Sequence, residues 1–201
     1  MKIILSTIIC CALFLVGCKK DQSNEYIIST ELGDIEIEVY PDKAPISVNN
    51  FKKYVALEAF ERADFFRVVR LDNQPNNDVK IEVIQGNMTD STNILPTIPH
   101  ETNDKSGILH KDGTVSMARL DPGTASLSFF ICINDQPELD FGGKRNADGT
   151  GFAAFGQVTK GMDVVRKIQS GKTKSTPGSP DLWLSQMLEK KIKINRIYKA
   201  D

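Results

Sequence analysis

Few residues in this 201-residue chain are placed to do chemistry. The most telling run is Phe65–Arg70, FFRVVR, a β-prone hexapeptide carrying two guanidiniums. Period-two alternation sets Phe65, Arg67 and Val69 on one face and Phe66, Val68 and Arg70 on the other. An arginine sharing a face with Phe65 and Val69 is either paired with an acid or lines a cleft as a functional cation, and pattern alone favours the pair. Arg70 reads as a salt-bridged surface residue. His100 and His110 lie in polar, loop-like context without metal-ligand spacing and read as exposed or hydrogen-bonded. The glycine-rich basic stretch 141–151 lacks both a phosphate-loop signature and the alternating acids of a calcium loop. No G-x-S-x-G, Cys–His pair or H-E-x-x-H is present, so hydrolysis has no motif behind it.

These residues need elements to hold them, and Ser116–Ile133, SMARLDPGTASLSFFICI, is the central one. It reads as a strand, a turn around Asp121–Thr124, and a second strand at Phe129–Ile133. Adjacent phenylalanines cannot face one core together. One of Phe129 and Phe130 therefore points out of it, or into a second apolar space. Upstream, Tyr26–Leu32 and Ile35–Tyr40 flank Gly33-Asp34 as a hairpin, with Glu36 and Glu38 on its wet face. Val48, Phe51 and Val55 form one stripe of a helix entered at Pro45 and ending near Glu58. Leu71–Val79 is a loop, Lys80–Ile84 a strand, Phe152–Val158 a strand, and Gly161–Ser170 a helix closed by Gly171. Asp181–Leu188 reads as a short amphipathic helix with the sole tryptophan, Trp183, and Lys191–Tyr198 as a last strand.

The first residues belong to no fold. Lys2 precedes an apolar run, Ile3–Val16, too short and wrongly flanked to span a membrane. Its end, Leu15-Val16-Gly17-Cys18, resembles the lipobox of bacterial lipoproteins. The resemblance implies a signal peptide over 1–17, acylation of Cys18, and a tether over 18–25; an ordinary secretory signal is the alternative. Several acyl chains would hold the protein at a membrane surface. Loss of 1–17 removes only Lys2 among the charges, leaving 24 basic against 26 acidic residues, a net of −2. Nothing in that balance points to nucleic acid. Cys132 is then the one thiol left inside the domain. It reads as a small hydrophobe in a strand rather than a nucleophile.

Five blocks stand in compatible order and spacing: FFRVV at 65–69, VIQG at 83–86, SMAR at 116–119, SFFICI at 128–133 and GFAAFG at 151–156. Together they resemble the cyclophilin family of peptidyl-prolyl isomerases. The resemblance implies a mainly β fold, a closed antiparallel barrel capped by two or three helices, over residues 26–201. Pattern alone supports only a β-rich domain with two or three helices.

The implied activity is cis–trans rotation about Xaa–Pro bonds, with proline-containing polypeptides of the cell envelope as clients. The protein is expected as a monomer, lipid-anchored at the outer membrane or periplasmic face, with no cofactor and no metal. By resemblance Arg67 is the catalytic guanidinium and Phe130 the floor of the proline pocket. Val83, Met117, Leu139 and Phe152 complete the apolar lining, and Gln85 with the backbone around Ala118 binds the substrate main chain. Glu82, Arg119, Ser128 and Glu138 depart from the family's usual residues there, and Ser128 leaves one expected polar contact unfilled. These departures keep open a second reading, a cyclophilin-fold chaperone that grips proline segments with little turnover.

Overall fold

The computed structural model describes residues 23–88, 94–175 and 181–200. The expected signal segment, Cys18 and most of the tether lie outside the described residues. Eight strands, β1 (Glu25–Thr30), β2 (Gly33–Val39), β3 (Ala63–Val69), β4 (Val83–Met88), β5 (Thr114–Met117), β6 (Phe129–Cys132), β7 (Ala153–Lys160) and β8 (Met187–Lys199), form a closed antiparallel barrel. Their order around it is β1-β2-β7-β5-β6-β4-β3-β8. Closure leaves no strand edge to template aggregation. The barrel expected from resemblance is therefore observed. Two longer helices, α1 (Pro45–Ala56) and α3 (Met162–Gln169), accompany the single turns α2 (Asn103–Ser106) and α4 (Leu182–Gln186).

Alternation explains most of the barrel. On β2, Ile35, Ile37 and Val39 are fully buried while Glu36 and Glu38 lie on the other face. The inner core gathers these with Ile28, Phe65, Val68, Ile84, Val115, Phe129, Ile131 and Phe155. Helix α1 adds Phe51, whose ring sits edge-on to Tyr26 at 5.2 Å. It has Ala44 at its N-cap and no side-chain cap of its own. Glu101 supplies one from a distant loop, accepting from the N–H groups of Ile46 at 3.1 Å and Ser47 at 2.9 Å. A carboxylate there also answers the positive end of the helix dipole. Helix α3 buries Val164, Val165 and Ile168, the helical stripe read from the sequence.

Several boundaries move. The first hairpin turns at Glu31-Leu32, because Thr30 pairs with Gly33 and its Oγ1 donates to the Gly33 carbonyl at 2.7 Å. The strand expected at 80–84 runs Val83–Met88 instead, so Gln85 and Gly86 lie within a strand, not at a turn. Gly86 answers to close packing: a Cβ built there would stand 3.0 Å from the Phe129 ring. The last strand begins at Met187, directly after α4.

One irregularity positions the site. Opposite β4, Phe65 pairs with Gly86 but Arg67 pairs with Gln85, so two residues of β3 face one step of β4. Phe66 is the extra residue of a β-bulge, a device that re-aims the side chains after it. Before the bulge Phe65 points into the core. After it Val68 does, while Val69 joins a second cluster outside the barrel. Strict alternation had put Phe65 and Arg67 on one face; the bulge separates them and turns Arg67 outward.

Candidate active site

The second apolar cluster comprises Val69, Ile81, Val83, Phe130, Cys132 and Leu139, with Ala118 and Phe152 packed against it. It lies on the outer face of β3, β4 and β6 and forms the floor of a groove of about 570 Å³, within the range of small-ligand sites. Phe129 and Phe130 divide as alternation demands. The Phe129 ring is edge-on to Phe60 and Phe65 in the inner core. The Phe130 ring is stacked on His110 at 5.9 Å and edge-on to Phe152 at 5.3 Å. His110 is itself held: Nδ1 lies 2.7 Å from Asp140 and Nε2 lies 3.0 Å from the Ser116 hydroxyl. Both His110 and Ser116 are buried, so this Ser–His–Asp arrangement props Phe130 and presents no nucleophile to the groove.

Arg67 reaches the same groove with its guanidinium fixed from two sides. Nη1 donates to Gln85 Oε1 at 2.9 Å; Nε and Nη2 donate to Gln186 Oε1 at 3.0 and 2.6 Å. Gln85 is anchored in turn, donating through Nε2 to the Ser128 hydroxyl at 2.9 Å, and Ser128 donates to the Gly86 carbonyl at 3.1 Å. Gln186 donates to the Asn73 carbonyl at 3.1 Å, and the buried Asn73 side chain donates to Val68 and Ser185 carbonyls. No acid pairs with Arg67 among the described residues. Burial, followed by the nearby charge of Arg145, pulls its pKa down to about 10, so it stays charged at neutral pH. Trp183 of α4 lies over the guanidinium, its ring 5.8 Å away. A guanidinium has five N–H donors in a rigid fork. With three bonded to glutamines, two remain for the groove.

The groove thus brings together Arg67, Val83, Gln85, Ala118, Phe130, Leu139 and Phe152. Met117 is the exception. It lies in the inner core, 2 % exposed, because it alternates with Ser116 and Ala118 along the chain and points to the barrel interior. The four departures also find their places. Ser128 lines the groove and bonds Gln85 and the Gly86 carbonyl. Arg119 donates to Gly151, Asp148, Thr150 and Leu120, with its guanidinium 5.0 Å from the Phe152 ring, and so clamps the 148–151 loop behind that wall. Asp148, bonded first to Arg119 and then to Thr150, is held well below the usual carboxylate range. Glu138 caps the Lys144 N–H at 2.8 Å and Glu82 accepts from Asn134 at 2.8 Å; neither lines the groove. Cys132 is fully buried, which pushes its thiol pKa well up and leaves it inert. Arg70 pairs with Asp72 and donates to the carbonyls of Gln169 and Gly171. Among the described residues no cluster of His, Cys, Asp and Glu could hold a metal.

Gln186, Asn73, Trp183 and Arg145 went unread in the sequence as parts of a site. Gln186, Trp183 and Arg145 reach Arg67 or the groove from a distant loop or turn, Asn73 acts through Gln186, and no local spacing signals that. Gln186 is a positioning residue. Gln186→Ala is expected to fold, to lower kcat about tenfold, the equivalent of one hydrogen bond to a charged group, and to move and broaden the Arg67 Nε–H resonance. An unchanged resonance beside an unchanged rate would remove Gln186 from the site.

A closed barrel bearing a clamped arginine over an apolar, phenylalanine-floored groove is the frame of a proline-bond isomerase. The family model for cyclophilin type peptidyl-prolyl cis-trans isomerase/CLD matches residues 26–198, and the chain belongs to that family. It is 38 % identical over 149 residues to a peptidyl-prolyl cis-trans isomerase of Acinetobacter baylyi, covering 73 % of this chain and 72 % of that one. It is 32 % identical over 169 residues to isomerase cyp18 of Streptomyces antibioticus, covering 83 % and 96 %. Against isomerase B of Escherichia coli it is 33 % identical over 152 residues, covering 72 % and 83 %. In fold it matches a crystal structure of a cyclophilin type isomerase from Cryptosporidium parvum, with a TM-score of 0.67 at 17 % identity over 89 % of this chain and 98 % of that one. The same parasite protein in the presence of the dipeptide Ala-Pro matches with a TM-score of 0.66. The chain is a peptidyl-prolyl cis-trans isomerase.

Proposed function

We propose that Arg67 is the catalytic guanidinium of this isomerase and that Phe130 floors the proline pocket. The observation that carries the reading is the clamp on Arg67: two glutamines fix the guanidinium while two of its N–H groups bond no described residue. Rotation about Xaa–Pro meets a barrier of about 18–20 kcal/mol because amide resonance must be broken. At the twist the proline nitrogen turns pyramidal and regains its lone pair. A fixed N–H donor aimed there binds the twisted amide better than the planar one, and the barrier falls by that difference. Val83, Leu139 and Phe152 enclose the proline ring, and Gln85 with the Ala118 backbone holds the adjoining main chain. The solved relative crystallised in the presence of Ala-Pro is consistent with so small a recognition unit. No covalent step or cofactor enters, and the mechanism stands or falls with the rate of Arg67→Ala.

The clients on this reading are proline-containing segments of cell-envelope proteins, met by a monomer tethered through acylated Cys18. The lipobox-like Leu15-Val16-Gly17-Cys18 supports the anchor, and no helix among the described residues is long and apolar enough to cross a membrane. Full-length protein is expected in the membrane fraction and Cys18→Ser in the aqueous one. Fractionation with palmitate labelling checks it; label that persists on Cys18→Ser would place the anchor elsewhere.

A further inference from the structure

The groove is charged on one side of the ledger only. Three arginines line it, Arg67, Arg119 and Arg145, and among the described residues no aspartate or glutamate does. Arg119 is neutralised by its two-pronged pair with Asp148. Arg67 and Arg145 stand in no ion pair among the described residues. Arg145 donates through Nη1 to Gln74 Oε1 at 2.9 Å and to the Val79 carbonyl at 2.7 Å, and its remaining side-chain donors bond no described residue. Gln74 is buried and bonded at both ends to Ile81, so Arg145 is moored to the loop that carries a wall of the groove. Burial lowers the Arg145 pKa, and its charge adds to the burial that depresses that of Arg67. The chain as a whole carries a net charge of −1, so this local excess is not a reflection of a basic protein.

Uncompensated cations beside an apolar floor favour an anion that arrives with the ligand. Gln85 stands on β4, Ser128 just before β6 and Ala118 just after β5. Arg145 comes from the 141–151 loop and bonds the 74–79 loop. A peptide with its proline over Phe130 and its main chain on Gln85 lies in the same groove as Arg145. We infer that Arg145 forms an anionic subsite that selects client segments with an acidic residue flanking the proline. The inference rests on the proposed seating of proline over Phe130 and deepens it by naming a client class.

Two sets of short amidated peptides test it, one with Glu, Gln or Lys just after Ala-Pro and one with the same residues just before Pro. Exchange rates and binding shifts are both read by NMR, so that affinity decides even where turnover is slow. In one of the two sets the wild type is expected to prefer Glu over Gln by about fivefold and Gln over Lys by a similar factor, the range of a single partly exposed ion pair. The preference should shrink in 0.5 M salt, which shortens the screening length to about 3–5 Å. It should fall to near unity in Arg145→Gln and persist in Arg145→Lys. Equal treatment of Glu, Gln and Lys in both sets overturns the subsite, as does a preference that survives in folded Arg145→Gln. Should Arg145→Gln fail to fold, the salt dependence of the wild-type ratio decides. An intact acid preference alongside peptide binding that ignores Phe130→Ala would instead overturn the seating of the proline and leave the anionic subsite standing.

Discussion

Arg67→Ala is expected to fold with an intact barrel and to lose about 10²–10³ in isomerisation rate, the usual consequence of removing one preorganised donor. The guanidinium lies outside the inner core and pairs with no acid among the described residues, so its loss strands no buried charge there. What it strands are the carbonyl oxygens of Gln85 and Gln186, which water entering the groove can satisfy. Stability should therefore change far less than rate. Arg67→Lys should fall between: one ammonium cannot bridge both glutamines and still present a fork to the twisted amide. Exchange NMR on an Ala-Pro peptide reads the rate, and circular dichroism the fold. A folded alanine variant with near-wild-type exchange would sink the mechanism.

The second large effect separates neighbours. Phe129 is 1 % exposed, edge-on to Phe60 and Phe65, and seated over Gly86. Phe129→Ala leaves a closed hole, and such truncations cost about 3–5 kcal/mol. At about 2–4 °C per kcal/mol for a domain this size, Tm should fall by roughly 6–20 °C, and activity with it through unfolding. Phe130 is also well covered, at 5 % exposed, more than a solvated pocket wall would be. Yet it borders an open groove, so Phe130→Ala widens existing space instead of creating a sealed void. Its Tm should drop less than that of Phe129→Ala, and kcat/KM on proline peptides should fall in protein that is still folded. Melts and exchange assays on both variants decide; the reverse order would mean that the two side chains have exchanged faces.

Much of the barrel could be read from the chain because alternation is a local signal. Ile35, Ile37 and Val39 fall inside as their spacing says, and the pair Phe129-Phe130 had to divide between two apolar spaces. Arg67 shows where the signal stops. Its alternation put it beside Phe65, toward the core, and only the five family blocks pointed it to a cleft. A one-residue bulge at Phe66 reconciles the two, and nothing in FFRVV announces a bulge. Met117 fails for the opposite reason: the SMAR block carried it into the site, whereas its place in the strand sends it inward. Gln186, Asn73 and Arg145 act from segments far from the strands they serve. The loop 71–79, which reads as a polar connection, buries Asn73 and Gln74 as the struts of two arginines. Long-range hydrogen bonds of this kind leave no periodic trace.

The position of Trp183 gives the molecule a use of its own. It is the only tryptophan in the chain, and it lies over the guanidinium proposed to meet the substrate, 59 % exposed on the rim of the groove. Indole emission is sensitive to neighbouring charge and to water, and a peptide drawn across Arg67 alters both. The protein therefore carries an intrinsic optical probe at its mouth, with no second indole to dilute the signal. Occupancy of the groove becomes readable by stopped-flow emission without any label, in the same cuvette where the slow rotation of the proline bond is followed.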